Sequence, residues 1–550
     1  MENQKTLLYF TLFFIIYLLW VEWQKDYGPQ PVAPVAVEST QQKETVIETS
    51  IPAAAPIPAP TSGTVTAAPA VVTVATNQKI KIITDVLDIE IDTRGGDIRK
   101  AVLRKYAVDA DTPEVKVELL TESEINFHIA QSGLVSSKAN TAPTHNDIFT
   151  AEQLTYRLAE GVDEIKVPLH WVGSDGSKVT KLYTFRRNDY TINVDHNVTA
   201  GQNGWSGSQY MQLMRTQPST EGQSAFIYTY TGGVIFNDEI KYEKIDFDDI
   251  QEKNLKSEME DGWLAMIQHY FLAAWIPESN GKNLYFTRYN AQADRYTLGT
   301  RSSAKILMPN EQGSFHSRFV AGPKEQYKLE EIEPGLELTV DYGALTIIAK
   351  PLFWLLDKFH GMFGNWGWAI IFLTITVKAF FYKLSEMSYK SMAKMRKVAP
   401  RMQQMKEQFG DDRQAMSKAM MDLYKREKIN PMGGCFPILV QIPVFISLYW
   451  VLLESVEMRH APFALWLDNL SAKDPYFVLP IIMGVSMYIQ QKLNPAPVDP
   501  MQQKIFQIMP FAFTLMFAFF PSGLVLYWVV NNILSIAQQY VITKRIENEK

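Results

Sequence analysis

The chain changes its hydrophobic period partway along. From Lys79 the period is two. Leu87, Ile89 and Ile91 alternate with Asp88, Glu90 and Asp92, as in a half-buried strand, and Gly95-Gly96 supplies a turn. Leu182-Tyr183-Thr184-Phe185, Ile192-Asn193-Val194 and residues 226–230, the last bounded by Gly232-Gly233 as turn residues, repeat the theme. Short strands between turn residues over 77–341 predict an all-β domain of packed antiparallel sheets, a sandwich. From Tyr342 the period becomes helical. Leu345, Ile348, Leu352, Leu355, Leu356 and Phe359 share one face of 342–361, with Lys350, Asp357 and Lys358 elsewhere, which predicts an amphipathic helix at a membrane interface. Five apolar runs follow within 362–543: residues 366–384, 436–453, 476–490, 505–520 and 523–541. They read as bilayer spans, several of them short and some broken by proline (Pro443, Pro510).

The N-terminus adds one more. Residues 7–21 are apolar, with Lys5 before them and Trp20, Trp23 and Tyr27 at the far end. Interfacial aromatics and the lack of a small-residue cleavage pattern predict an uncleaved anchor over 1–27 rather than a signal peptide. Residues 28–76, rich in Pro, Ala, Thr and Val, predict an extended tether. The stretch 385–430 carries Lys390, Lys394, Arg396, Lys397, Arg401, Lys406, Arg413 and Lys418 and is therefore expected on the cytoplasmic side. That puts the β domain in the periplasm and both termini, including the short tail 544–550, in the cytoplasm. The expected fold is a multi-domain membrane protein: a bundle of six transmembrane helices, a large periplasmic all-β domain and a cytoplasmic helical hairpin.

Composition narrows the chemistry. A net charge of −6 over 550 residues says little about partners, and the chain has only 8 histidines, none with HExxH spacing. GxGxxG, P-loop and GxSxG patterns are missing, so no cofactor, metal or catalytic site is expected, nor specific nucleic-acid recognition. The single cysteine, Cys435, excludes an intramolecular disulfide. The acids Asp246, Asp248, Asp249 and Glu252 read as a solvated loop, and Trp263, Trp275 and Tyr270 as core packing.

Two features remain. In the hairpin, 386–409 and 413–428 are charged amphipathic helices joined at Gly410-Asp411-Asp412, with either aspartate able to cap the second. Their methionines, Met395, Met402, Met405 and Met420 among them, serve either a surface for varied apolar partners or the packing of the two helices. The second feature is Lys378, inside the run 366–384. At five residues before Lys383 it sits about 7–8 Å inside the expected cytoplasmic edge. Either it snorkels to the headgroups or it faces a hydrated internal cavity. Thr374 lies one turn away. Gln441, Ser447, Ser486, Gln490, Thr514, Ser522, Asn531 and Asn532 are the polar residues of the other runs that could share such a cavity.

Ser391-Met-Ala-Lys-Met-Arg396, Asn430-Pro-Met-Gly-Gly-Cys-Phe-Pro437, Ala461-Pro-Phe-Ala-Leu-Trp466, Asp499-Pro-Met-Gln-Gln-Lys504 and Phe520-Pro-Ser-Gly-Leu-Val-Leu-Tyr527 resemble the Gram-negative YidC-type form of the YidC/Oxa/Alb membrane protein insertases. The resemblance covers nearly the whole chain. It implies a five-helix core with a hydrophilic groove open to cytoplasm and lipid, a periplasmic β-super-sandwich, and an inner-membrane location. It further implies work on nascent membrane-protein clients, alone or with the Sec translocon, without nucleotide hydrolysis. The family's groove charge, commonly arginine, maps onto Lys378; its groove threonine and last-helix tyrosine region map onto Thr374 and Tyr527-Trp528. Lysine keeps the charge but loses the bidentate fork, and Trp528 departs from the common tyrosine. Gln441 and Asn531 complete the expected groove. Met395, Arg396, Met402, Met405 and Met420 are the expected hairpin contacts for ribosome and targeting factors, with membrane lipids nearby. Rival readings are a secondary transporter with a polar intramembrane site, for which no internal repeat is visible, and a membrane-anchored carbohydrate-binding protein.

Overall fold

A computed structural model describes residues 78–218, 229–279, 281–410, 412–427, 436–494 and 500–548. The expected anchor and tether, residues 226–228, Asp411 and the segment around Cys435 lie outside them.

The period-two stretches form strands. In Leu87–Asp92 the residues Leu87, Ile89 and Ile91 are buried. The strand pairs antiparallel with Lys79–Ile83 on one side and Asp97–Ala107 on the other. Gly95 makes the turn at φ +76°, and a Cβ there would fall 2.6 Å from the His145 carbonyl, so the turn requires glycine. Eleven strands form one sheet and nine the other. Their facing sides interdigitate through Ile89, Leu169, Tyr183, Phe185, Leu213, Trp275 and Phe319. The sheets are not wholly antiparallel: Lys79–Ile83 and Thr155–Arg157 pair parallel at one edge.

Two local readings change and a third holds. Gly232 and Gly233 open the strand Gly232–Asn237 instead of making a turn, because the Tyr230 ring lies where a side chain at 232 would project. The acidic cluster starts a helix, α1 (Phe247–Glu252): the Asp249 carboxylate accepts from the Asp246 amide at 3.1 Å. Trp263 and Trp275 are fully buried as core residues, and Tyr270 packs half-buried against the sandwich core, stacking on His269 at 3.7 Å.

Helix α2 (Gln326–Ile332) and two short 3₁₀ turns lead from the sandwich to α3 (Thr346–Phe363). Gly364, at φ +63°, ends α3, and the Asn365 side chain accepts from the Trp368 amide to start α4 (Trp366–Phe380). Then come α5 (Tyr382–Phe409), α6 (Arg413–Arg426), α7 (Phe436–Glu454), α8 (Val478–Leu493), α9 (Pro500–Phe517) and α10 (Ser522–Asn548). Helix α10 packs against α8, α4 and α5, and α3 covers α4 and α7.

Among the described residues no single helix is long and apolar enough to cross a membrane; α4 and α5 together pass that test but bend by 66°. The run expected over 366–384 therefore breaks at Phe381, and its last residues belong to the hairpin. This relocates Lys378 to the last turn of a 15-residue helix.

Candidate functional site: a polar cavity among the helices

A cavity of about 380 Å³ opens between α4, α5, α7, α8, α9 and α10. Lys378, Gln441, Tyr527, Trp528 and Asn531 line it. Thr374 does not. It is 1% exposed, and its Oγ1 donates to the Ile370 carbonyl at 2.7 Å within its own helix.

Lys378 is 7% exposed, so it does not snorkel. Its Nζ donates to Ser535 Oγ at 2.8 Å, and that hydroxyl donates to the Asn531 carbonyl at 2.7 Å. The ammonium thus uses one of its three donors on a neutral hydroxyl. Among the described residues no carboxylate forms an ion pair with it. Position gives some relief, since the C-terminal end of α4 presents the negative pole of the helix to the cation.

The other wall is aromatic. Phe445 stacks on Tyr527 at 6.0 Å between centroids and meets Trp528 edge-on at 4.5 Å; Phe517 approaches Trp528 at 5.1 Å. Trp528 is therefore fixed between α7 and α9. The cavity joins one buried cation and several amides to an apolar wall.

Gln490 and Asn532 line the cavity as well, whereas other polar residues of the runs serve the bundle, and Asn532 does both. Asn532 Nδ2 donates to Ser486 Oγ at 3.0 Å, and Gln539 Nε2 to Asn494 Oδ1 at 3.0 Å, stitching α10 to α8. Ser447 and Thr514 bond back to the Pro443 and Pro510 carbonyls, each at 2.7 Å, and Ser522 to that of Asn469 at 2.9 Å. Sequence reasoning missed Ser535, Ser385, Ser388 and Tyr389 in the lining. The signal was present: 385, 388 and 389 fall at i, i+3 and i+4 on the first turns of α5, and 535 lies four residues after 531.

The hairpin closes as an antiparallel pair. Asp412 Oδ1 accepts from the Ala415 amide at 3.0 Å, and Arg401 meets Glu427 at 2.7 Å. Val398 and Met402 are buried against Met395, Met420, Leu423 and Tyr424. Three of the expected contact methionines thus hold the helices together. Arg396 is exposed and Met405 half-buried, while Met387 and Met421 are more than half exposed.

Two family models match the chain. One described as YidC periplasmic domain covers residues 79–355, and one described as 60Kd inner membrane protein covers 358–549. A membrane protein insertase YidC of Thioalkalivibrio sulfidiphilus is 52% identical, the match covering 100% of this chain and 99% of that one. The insertase of the same description from Methylococcus capsulatus is 50% identical over the same shares. A crystal structure of an active YidC insertase with its first transmembrane domain resolved is 18% identical and covers 84% of this chain and 93% of that one, at TM-score 0.38; the assignment does not rest on it. On the family models and the full-length relatives, the chain belongs to the YidC family of membrane protein insertases, inner-membrane proteins with a periplasmic domain.

Proposed function

We propose that the cavity around Lys378 is the path by which client chains enter the bilayer. The buried Lys378 ammonium, held by Ser535 and facing no carboxylate partner among the described residues, carries this reading. Such a cation costs free energy unless water or an anion reaches it. An acidic or polar client tail is the natural counter-group, and the amides of Gln441 and Asn531 can replace part of its hydration. The client's apolar segment then leaves sideways past the apolar wall into lipid.

Energetics supports action without nucleotide hydrolysis. Ten Leu or Phe residues supply about 5 kcal/mol on an insertion scale, against about 3 kcal/mol for one Asp at the bilayer centre. One tail acid is offset by the span itself, and the cavity lowers the barrier rather than driving the step.

The same reading takes α4, α7, α8, α9 and α10 as short spans and adds the N-terminal anchor for a sixth. The hairpin and both termini are cytoplasmic, and the sandwich is periplasmic. Helix α3, with Ile347 and Trp354 exposed, lies at the outer interface. The hairpin's exposed basic and thioether groups meet ribosome and targeting factors, and the helix bundle works alone or beside the Sec translocon.

The test is a charge series in proteoliposomes. Lys378→Glu is expected to lower insertion of a client with an acidic translocated tail by about tenfold, as ~1.4 kcal/mol of lost attraction requires, and to spare a client with a neutral tail. Equal insertion of both clients by the variant counts against the path.

A further inference from the structure

Where the sandwich meets the helices, one ion pair is fully buried. Lys324 leaves the strand Gln312–Pro323, and Glu454 is the last residue of α7. Their side chains are 2% and 5% exposed, with Nζ 3.3 Å from Oε2. Lys324 Nζ also donates to the Thr339 carbonyl at 3.1 Å, and its backbone amide to the Tyr270 carbonyl at 2.9 Å. One residue before Glu454, the Leu453 carbonyl accepts from His269 Nε2 at 2.9 Å. Just beyond it, Arg459 lies over the rings of Tyr270 and Phe271 and donates to the Val108 carbonyl at 2.8 Å. The end of α7 is therefore gripped from three sides by the sandwich.

A buried pair is a demanding joint. With both partners seated, charge and hydrogen bonding offset the desolvation; with one removed, the other is buried alone, and the structure must shift to hydrate it. The helix that would shift is α7, whose Phe445 sets the aromatic wall and whose Gln441 lines the cavity about 20 Å from Glu454.

We propose that Lys324 and Glu454 are positioning residues for insertion: the pair seats α7 on the periplasmic sandwich and so sets the width of the client cavity. This inference rests on the cavity being the client path.

The experiment uses the full chain in liposomes, with Cys435→Ser as background. Spin labels at positions 442 and 506, both on the cavity wall, report its width without any client. Lys324→Met and Glu454→Gln are each expected to lengthen and broaden the label distance and to lower insertion per folded molecule about tenfold. The exchange Lys324→Glu with Glu454→Lys is expected to restore both. A label distance unchanged in the single variants overturns the proposal, and so does an exchange variant that restores stability without restoring the distance and insertion. Lys378→Glu is run alongside. If it inserts acidic-tailed clients normally while the pair variants still move the labels, the path is wrong and the seating of α7 stands.

Discussion

At the residue scale, the central contrast is between the Lys378 cation and its neutral hydroxyl partner, Ser535. Ser535 has no charge, so it can orient the amine without neutralising it. Ser535→Ala should leave the fold intact, at a cost of about 1 kcal/mol for the lost hydrogen bond. It should also weaken discrimination between acidic and neutral client tails, because the amine loses its fixed direction. Insertion assays with matched tails check this. A second buried group lies just past α7: burial pushes the Glu457 carboxyl up to about 7, with Glu325 and Asp357 adding repulsion and backbone amides opposing them. A carboxyl raised in the fold contributes stability present below its unfolded value near 4.5 and lost as pH rises through about 7. Glu457→Gln should therefore match the wild-type unfolding free energy at pH 4 and exceed it at pH 8, by up to about 3 kcal/mol. Equal curves at both pH values would contradict the assignment. Lys378 was legible from sequence because a charge inside an apolar run is rare. Ser535 was not, because a serine in a helix pattern carries no sign of which neighbour it will meet.

At the element scale, helix spacing depends on small residues. A Cβ at Gly484 of α8 would lie 2.0 Å from Thr514 Oγ1 on α9, so Gly484→Val should force the two helices apart. Overpacking of this kind costs about 1–3 kcal/mol and should appear as a lower unfolding temperature and faster hydrogen exchange in α9. In the hairpin, Met402→Ala should open the α5–α6 contact, whereas Met387→Ser with Met421→Ser should leave it closed, since only Met402 is buried there. Exchange protection of the two helices separates these outcomes. Helix type and order were readable from periodicity and from signals such as Gly410 and Asp412. The break at Phe381 was not. No proline or glycine marks it, and the apolar composition continues through it; tertiary contacts decide where α4 ends. Thr374 was placed in the groove by helical spacing from Lys378, yet a threonine hydroxyl can satisfy itself on the preceding turn, and this one does.

At the scale of the whole molecule, an apolar cluster separate from the sandwich's inner core bridges the two modules. Val234, Trp263 and Leu272 of the sandwich join Leu336, Val340 and Tyr342 of the connector, then Leu352, Leu448 and Leu524 of the helices, in a single cluster. The alternating pattern announced the sandwich, and the long apolar runs announced the helices. Nothing in either pattern announced the joint, because Lys324 and Glu454 are 130 residues apart and each reads as a surface charge. On the proposed function, this joint supports the cavity and a client passes through it. The most direct measurement is photo-crosslinking of a stalled, acidic-tailed client from probes at Gln441 and Trp528, with a probe at Phe511, on the exposed side of α9, as reference. Strong adducts are expected from 441 and 528, fading when Lys378 is replaced by glutamate. Adducts confined to 511, or unchanged by that replacement, would contradict the proposed function.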